Sequence, residues 1–494
     1  MTQPTFSTAL FLPFLHASNT GPQYQRLFRA FQQAILSGKL PPGTRLPATR
    51  PLCSALSLSR NTVKAAYEML HSEGYLETRH GAGTFVSQRL PEALPARSMS
   101  GSTAGAHITP PRLSKTALRL LQLNNSNPPA TGRLLQPARP CVQSFPWQQW
   151  QRHVTAAARQ MKHAALINRL GCDELREQIA SYLQVVRGVK CNAEQILISA
   201  GSQQGMYLAL KLLLDEGEPV LIEDPGYQGV DGAITAAGAR KVAVPIDDQG
   251  FRLQDGLAQA PHARVAMLTP SRNHPMGHTL SLERRLALLS WAQQQGGWLI
   301  EDDYDSDFRF DGPPLTSLQG LGGEHCVIYT GTFSRILHPS IRLGYLVLPP
   351  SLIEPFHTAR RYMDGGLPLL PQMALAGFMA SGQFSSHVRR MRKLYQQRRD
   401  QLHALVQQRF GDQLQRVEAD GGMHSVYRLP AGYNDCQICD QAQQSDLGIR
   451  ALSRYYASDT RPQGLVIGFA GYTQAQMQQG LDSLVLIFQD MGAR

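Results

Sequence analysis

From about residue 131 onward, short apolar runs alternate with longer amphipathic ones, and this alternation limits the possible folds more than any other feature of the chain. The apolar runs include QILISA, PVLIED, VAMLTP and GWLIEDDY, and the amphipathic runs include SQQGMYLALKLLLDEG and ERRLALLSWAQQQG. Runs of the first kind are typical of buried strands, and runs of the second kind are typical of helices. Strands that alternate with helices pack as a mostly parallel sheet covered by helices. The sequence therefore predicts a large α/β domain.

Pattern and composition divide the chain into four segments. Residues 1–20 are a lead-in, residues 21–90 form a short and strongly patterned unit, and residues 131–494 carry the strand–helix alternation. Residues 91–130 are rich in Pro, Ser, Ala and Gly and show little apolar periodicity, which is typical of a flexible linker. We therefore expect two folded domains joined by a linker.

The pattern of the short unit predicts three helices followed by two short strands. Thr49 is a candidate N-cap for the second helix, and Ser59 is a candidate N-cap for the third. The strands YLETR and TFVSQ flank a turn that begins at His80 and ends at Gly83. A helix–turn–helix followed by a hairpin is a winged helix, whose third helix enters the major groove of double-stranded DNA.

The charge of the short unit agrees with this interpretation. It contains nine Lys and Arg residues against three acidic residues. Arg60, Asn61, Thr62 and Lys64 are expected to point outward at the start of the third helix, where such side chains reach base edges and phosphates. A helical bundle with solvated charges is the alternative, but the hairpin and the cluster at one helix start favour DNA.

The stretches AILSGKLPPGTRLPATRPL, LSLSRNTVKAAYEML and EGYLETRHGAGTFV closely resemble the GntR family of bacterial regulators. This chain has Ser57 where the family usually has a Gly turning out of the second helix, which implies a Ser in the left-handed conformation at a small cost. The resemblance and the outward residues together imply a DNA-contacting set made of Arg45, Arg50, Ser59, Arg60, Asn61, Thr62, Lys64, His80 and Gly81.

Three features of the large domain suit a flat ligand that carries negative charge. Ser202 and Gln203 stand between a strand and a helix start, where free backbone N–H groups seat anions. Tyr227 lies on a tight turn, from which its ring can stack on a flat ligand. Asp302 and Tyr304 end a buried strand, the usual place for site residues in such sheets. A solvated acidic turn or a metal site is the alternative, and it fits less well after a fully apolar strand.

The motifs SAGSQQG, EDPGY, TPSRNHPMG, IEDDYDSDFRF and YTGTFSRILHPSIRLGY occur in the order found in the fold-type I aminotransferases, which residues 131–494 resemble. With the GntR-like unit in front, the whole chain resembles the MocR/GabR class of transcription regulators. The resemblance implies a pocket for pyridoxal 5'-phosphate that is formed by Ser202, Gln203, Tyr227, Asn273, Asp302, Tyr304, Thr332, Ser334 and Arg342.

The Schiff-base lysine of the family falls on Arg335. A guanidinium keeps its proton in proteins and is a poor nucleophile, so it cannot condense with an aldehyde as a lysine does. We therefore expect no catalytic residue, no transamination, and pyridoxal phosphate held without a covalent bond at most. Arg272 stands where relatives usually have His, and with Arg335 and Arg342 it favours a small anionic effector. The family's carboxylate-binding arginine is not in register, and Arg461 is the only close candidate.

The remaining features argue against other classes of protein. The seven cysteines are odd in number and scattered, which fits a reducing cytoplasm. The pair Cys436 and Cys439 has no second pair or nearby His, so we expect a structural role rather than metal binding. No apolar run approaches the length of a membrane span, and the N-terminal stretch lacks the basic start and cleavage site of a signal peptide.

These observations predict a bacterial, cytoplasmic transcription regulator that associates with the nucleoid when it binds its operator. By analogy with the family, we expect a head-to-tail homodimer in which effector binding moves the large domains and the linker passes the movement to the winged helices. Two alternatives remain open. One is a working pyridoxal-phosphate aminotransferase with an accessory DNA-binding domain, and the other is a plain DNA-binding dimer with an empty pocket.

Overall fold

The structure is a computed structural model, and it describes residues 6, 11, 15, 21–79, 82–90, 112–126, 133–161, 169–312, 315–458 and 461–492. The chain divides into two units, with the boundary between Pro111 and Arg112. Each unit has its own hydrophobic core.

The first unit is the predicted winged helix. Its core lies between the first and third helices, where Leu27, Phe31, Val63 and Leu70 are fully buried. The two strands pair antiparallel, with Leu76 opposite Val86. The described elements of this unit are α1 (Gln23–Leu36), α2 (Thr49–Leu56), α3 (Arg60–Ser72), β1 (Leu76–Arg79) and β2 (Gly83–Val86).

The ends of α2 and α3 correct one expectation and confirm another. Thr49 is the first residue of α2 and not its cap, because the carbonyl of Ala48 already accepts the N–H of Leu52. Ser57 follows α2 in the left-handed conformation, with φ 52° and ψ 40°, as expected where a Gly is replaced. Ser59 caps α3 as predicted, since its hydroxyl accepts the N–H of Thr62 at 3.1 Å.

Part of the predicted linker is a helix. Lys115–Ser126 form α4, which packs against a helix of the second unit at Gly229–Ala237. The prediction of one flexible segment over residues 91–130 is therefore wrong for these residues, and the second unit begins at Arg112 rather than at residue 131. The flanking Pro- and Ser-rich sequence concealed this short helix, and most of the rest of the predicted linker lies outside the described residues.

An eight-stranded sheet, counted over the described residues, forms the centre of the second unit. Its spatial order is β3-β10-β9-β8-β7-β4-β5-β6, in which the strands from β9 to β5 run parallel and β10 runs antiparallel to both neighbours. The predicted, mostly parallel sheet is confirmed. The strands are β3 (Ile196–Ser199), β4 (Pro219–Asp224), β5 (Arg240–Asp247), β6 (Gly250–Phe251), β7 (Val265–Leu268), β8 (Trp298–Asp303), β9 (Val327–Thr332) and β10 (Gly344–Val347).

Helices cover both faces of this sheet. Neighbouring residues of one strand enter different apolar clusters, as Leu299 and Ile300 of β8 do, so each strand is buried on both sides. This burial explains why the strands read as continuous apolar runs. The helices in this part of the unit are α5 (Trp147–Gln160), α6 (Asp173–Arg187), α7 (Ser202–Leu213), α8 (Gly229–Ala237), α9 (Leu253–Gln259), α10 (Leu282–Gln295), α11 (Phe333–Ile336), α12 (Ile353–Met363), α13 (Leu369–Ala380) and α14 (Gln383–Phe410).

A smaller antiparallel sheet follows α14. The pair Cys436 and Cys439 lies on α15, which is capped by Asn434. In the described part of the chain, no helix combines the length and the apolar character that crossing a membrane requires. The elements here are β11 (Gln415–Arg416), β12 (His424–Arg428), α15 (Asp435–Gln444), β13 (Arg450–Ala451), β14 (Gly464–Gly468) and α16 (Gln474–Gly492).

Candidate ligand site and nucleic-acid interface

The turn between β3 and α7 forms a seat for an anion. Gly201 has φ 82°, which lets the chain turn sharply so that α7 starts at Ser202 with its first N–H groups free of helical partners. The side chain of Arg342 lies beside this turn and donates to the carbonyl of Ala200 at 3.4 Å. The buried Oγ of Ser334 has no hydrogen-bond partner among the described residues. The partial positive charge of the helix start and the full charge of Arg342 therefore lie together at this turn, and Ser334 offers a spare hydroxyl on the segment after β9.

A small cavity lies at the carboxyl ends of β4, β7 and β8, and Tyr227 and Asp302 line it. Asp302 is 4% exposed, and its Oδ1 has no hydrogen-bond partner within the described part of the chain. Burial raises the pKa of Asp302 to about 7, although the Arg335 guanidinium opposes this shift. Beside it, Glu223 accepts the N–H of Thr269 at 3.0 Å, and burial raises the pKa of Glu223 to about 7 as well. The cavity thus offers an uncommitted carboxyl group to a ligand.

Arg335 lies at the centre of the site. It belongs to α11, the short helix after β9, whose start is capped by the hydroxyl of Thr332. The guanidinium carbon of Arg335 is 5.1 Å from the ring centroid of Tyr304 and 5.8 Å from that of Tyr227. Its Nη1 is buried and has no hydrogen-bond partner among the residues described. Burial works against the charge, but the nearby phenol and carboxyl groups raise the pKa of Arg335 above its usual value, so the side chain stays protonated.

Three other predicted residues lie at the same edge of the sheet. Asn273 donates from Nδ2 to the carbonyl of Pro225 at 3.2 Å, beside the loop that carries Tyr227. Gln203 is turned toward that loop as well and donates to the carbonyl of Gly229 at 2.8 Å. The hydroxyl of Tyr304 accepts a hydrogen bond from Arg272 at 3.3 Å.

Arg272 corrects a prediction. It is 7% exposed, and its guanidinium donates to the carbonyl of Gly421 at 3.0 Å and lies 3.7 Å from the carboxylate of Asp305. The contact with Gly421 joins the loop after β7 to the segment before β12, and the Asp305 carboxylate offsets the charge of Arg272. Arg461 is exposed and donates to the carbonyl of Ser458 at 2.7 Å, outside the cavity lining. Arg335 and Arg342 are therefore the predicted arginines that remain for an anion.

Sequence reasoning missed an aromatic group around His274. The His274 ring makes edge contacts with Tyr227, Tyr304, His424 and Tyr455, at centroid distances of 5.6, 5.5, 5.1 and 5.4 Å. Burial lowers the pKa of His274 well below its usual value and the pKa of His424 to about 3, so both rings are neutral. The position of His274 directly after Asn273 could have indicated that it lies at the site. Its contacts with His424 and Tyr455 could not be predicted, because these residues are distant in sequence.

The candidate DNA-contacting residues around α2 and α3 lie at the surface of the first unit. Arg50, Arg60, Asn61 and Lys64 are exposed, and Lys64 also lies 3.6 Å from Glu68 on the next turn of α3. Ser59 and Thr62 bind each other through their hydroxyls at 2.8 Å, so both fix the start of α3.

Arg45 extends this face to the hairpin. It pairs with Phe85 of β2 in an isolated bridge, and a β-carbon at Gly83 would lie 3.3 Å from its Nε. His80 and Gly81, which were also predicted to contact DNA, lie outside the described residues.

Comparison with known families agrees with both units. Residues 23–86 match the bacterial regulatory proteins of the gntR family, and residues 143–484 match the aminotransferase class I and II family. The second match alone covers well over half of the chain.

Similar proteins combine the same two parts. The chain is 36% identical to the probable rhizopine catabolism regulatory protein MocR of Rhizobium meliloti, over 94% of this chain and 93% of that protein. It is 30% identical to the pyridoxine biosynthesis transcriptional regulator PdxR of Corynebacterium glutamicum, over 91% and 92%. Among solved structures, an alpha-aminoadipate aminotransferase of Thermus thermophilus, complexed with N-(5'-phosphopyridoxyl)-L-leucine, matches with a TM-score of 0.68, 25% identity and coverage of 77% of this chain and 98% of that chain.

Proposed function

Since the chain belongs to the MocR-type transcription regulators, in which a gntR-family DNA-binding domain precedes a class I and II aminotransferase domain, we propose that its second unit senses a small anionic molecule and does not catalyse transamination. The observation that carries this proposal is Arg335, a buried and protonated guanidinium at the centre of the site. A regulator needs only reversible binding at this point, for which a guanidinium suffices.

A phosphorylated pyridine fits the residues that are present. The start of α7, Ser334 and Arg342 would hold a phosphate, and the free Oδ1 of Asp302 would pair with a ring nitrogen. Tyr227 would stack on the ring, and Tyr304 would meet a ring hydroxyl. Bound pyridoxal phosphate supplies an aldehyde to amine nucleophiles. Arg335 offers it hydrogen-bond donors only, so the molecule would be held without a covalent bond.

By family analogy the protein is a head-to-tail homodimer in the cytoplasm, where it is bound to the nucleoid through its operator. Effector binding changes the arrangement of the second units, and residues between the two units pass this change to the winged helices. The name of the Corynebacterium relative, a pyridoxine biosynthesis regulator, supports a vitamer as the effector.

The decisive experiment compares spectra and masses of the purified protein before and after addition of pyridoxal phosphate and borohydride. We expect the vitamer to bind reversibly and to leave no reduced adduct on the peptide that contains Arg335. The variant Arg335→Lys is the matched control, since a lysine in an intact pocket can bond the aldehyde and be trapped. A vitamer covalently bonded within the pocket of the unaltered protein would refute the proposal.

A second candidate function is a working aminotransferase with an accessory DNA-binding domain. It is favoured by the retained seat at Arg342 and by the uncommitted carboxyl of Asp302, which a decayed pocket would have no reason to keep. Turnover of any amino acid by the isolated protein would select this candidate. Operator binding together with no response to any vitamer or phosphorylated metabolite would instead indicate an empty pocket.

A further inference from the structure

Resting on the proposed function, we infer that Arg335 selects among phosphorylated pyridines by the substituent opposite the ring nitrogen, favouring an oxygen acceptor and rejecting an amine. The preferred effector is then an oxidised vitamer with an aldehyde or a carboxylate at that carbon. The aminated vitamer, pyridoxamine phosphate, binds poorly.

The two ends of the site fix the orientation of a bound ring. Asp302 is in β8 and the start of α7 follows β3, and β9 and β10 lie between these two strands in the sheet. The two positions are therefore separate, and they suit the ring nitrogen and the phosphate respectively. In these vitamers the carbon opposite the nitrogen is directly next to the carbon that bears the phosphate arm. A ring fixed at both ends therefore presents this carbon near the phosphate seat and away from Asp302.

Arg335 lies where it can contact the substituent opposite the ring nitrogen. It directly follows Ser334, whose spare hydroxyl is part of the phosphate seat, and its guanidinium lies over the rings of Tyr227 and Tyr304. These are the two aromatic residues assigned to the ring of the ligand. The substituent opposite the ring nitrogen consequently meets Arg335.

The hydrogen-bond donors of Arg335 determine which substituent it accepts. A guanidinium carries donors and no acceptor, and the Nη1 of Arg335 is buried with no partner in the described part of the chain. An aldehyde or carboxylate oxygen satisfies this donor, and a carboxylate adds opposite charge. An aminomethyl group is itself a protonated donor, so it would leave Arg335 unsatisfied and place two cations together.

The other charges around the site do not cancel this preference. Arg272 is already paired with Asp305, and His274 is neutral because it is buried. Among the described residues, the charged groups near the assigned ligand positions are Arg335, Arg342 and Asp302, and Asp305 adds a carboxylate that acts on both Arg272 and Arg335. The matching ligand carries a phosphate arm on one ring carbon and an oxygen acceptor on the neighbouring carbon, which lies opposite the ring nitrogen. Its ring nitrogen carries a proton that can pair with Asp302.

The test measures the affinities of the full-length protein for pyridoxal phosphate, pyridoxine phosphate, pyridoxamine phosphate and phosphorylated pyridoxic acid by calorimetry. The last compound carries a carboxylate at the critical carbon and cannot form a Schiff base, so surface lysines do not affect its result. We expect the aldehyde and the acid to bind about 10-fold to 100-fold more tightly than the amine. The affinity for inorganic phosphate measures the contribution of the phosphate-binding residues alone.

Two variants test whether Arg335 causes the selectivity between the vitamers. Arg335→Gln should bring the affinities for the acid and the amine within about 3-fold of each other, because an amide can both donate and accept. Arg342→Gln should weaken all the phosphorylated compounds alike and keep their ratio. The ranking in the unaltered protein tests the inference even if Arg335→Gln does not fold.

Equal affinities for the amine and the aldehyde would overturn the inference and leave the proposed sensor function standing. A selectivity that survives in Arg335→Gln would also overturn it. If none of the compounds binds more tightly than inorganic phosphate, both the inference and a vitamer-sensing function fail.

Discussion

At the scale of single residues, Asp302 links the stability of the second unit to pH. Its pKa is raised by burial to about 7, whereas an exposed Asp in an unfolded chain titrates near 4. The folded state therefore holds a proton that the unfolded state has released between these two values. The stability from this group is fully present below the unfolded pKa and is lost as the pH rises through about 7.

Replacing Asp302 by Asn removes this dependence while keeping the shape of the side chain. We expect Asp302→Asn to raise the free energy of unfolding by roughly 4 kcal/mol near pH 8, where the folded wild type holds an ionised carboxyl, and by only about 1 kcal/mol near pH 5, where the unfolded chain alone has released the proton. Thermal unfolding of the ligand-free protein at both pH values measures the difference. An equal change in stability at both pH values would show that Asp302 is not the titrating group.

Beneath the site, Arg187 forms a buried ion pair with Asp303. The Nε–Oδ2 distance is 2.7 Å, and the two side chains are 4% and 3% exposed. Arg187 also donates to the carbonyl of Leu315 and to the hydroxyl of Ser271, so its guanidinium joins α6, β8 and two loops. Removing one partner of such a pair leaves an uncompensated buried charge.

We therefore expect Arg187→Met to destabilise the protein by about 3–5 kcal/mol. Arg264→Met is the matched control, because Arg264 pairs with Glu218 at the same distance of 2.7 Å but is half exposed. That variant should lose less than about 1 kcal/mol. Chemical denaturation of both variants makes the comparison, and similar losses would contradict the importance of burial.

At the scale of secondary-structure elements, the turn between α2 and α3 places a side chain where the backbone favours Gly. Ser57 has φ 52° and is exposed, so its β-carbon adds strain and little packing. This turn sets the angle at which α3 meets DNA, and for that reason its stability matters to recognition.

Ser57→Gly should stabilise this turn by about 0.5–1 kcal/mol. The same change at Ser54, inside α2, should cost a similar amount because Gly weakens a helix interior. Hydrogen exchange of the α2 and α3 amides in the full-length protein reports both effects. Faster exchange in Ser57→Gly would show that the left-handed conformation at this position is not the one populated.

At the scale of the whole molecule, recognition of DNA and recognition of the effector are assigned to different units. Arg60 stands exposed at the start of α3, and Arg342 lies at the ligand seat of the second unit. The chain carries a net charge of +11, to which the first unit contributes strongly, so operator binding should weaken steeply with salt.

A pair of variants should separate the two functions. Arg60→Ala is expected to weaken operator binding by about 1–3 kcal/mol and to leave vitamer affinity unchanged. Arg342→Ala should bind the operator as tightly as the unaltered protein but no longer respond to pyridoxal phosphate. Fluorescence anisotropy with labelled operator, with and without the vitamer, measures both. Loss of DNA binding in Arg342→Ala would argue against separate roles.

Much of the fold was predictable because it depends on neighbours in sequence. β4 occupies the six residues of the run PVLIED, and the apolar stripe of α3 is buried at the spacing that its periodicity predicts. The helix α4 escaped prediction because its short run is surrounded by Pro- and Ser-rich sequence. The prediction that Thr49 caps α2 was wrong because the carbonyl of Ala48 accepts the first hydrogen bond of the helix.

The sequence alone determined the two kinds of domain, the order of the site motifs and the presence of a guanidinium in place of an amine, since these depend on local periodicity and on residue identity. Only the tertiary structure decided which charges are free. Arg272 is paired with Asp305 across a fold contact, whereas Arg335 and Asp302 keep buried atoms without partners among the described residues. The physical reason is that the desolvation and pairing of a charge depend on groups distant in sequence, which only folding brings together.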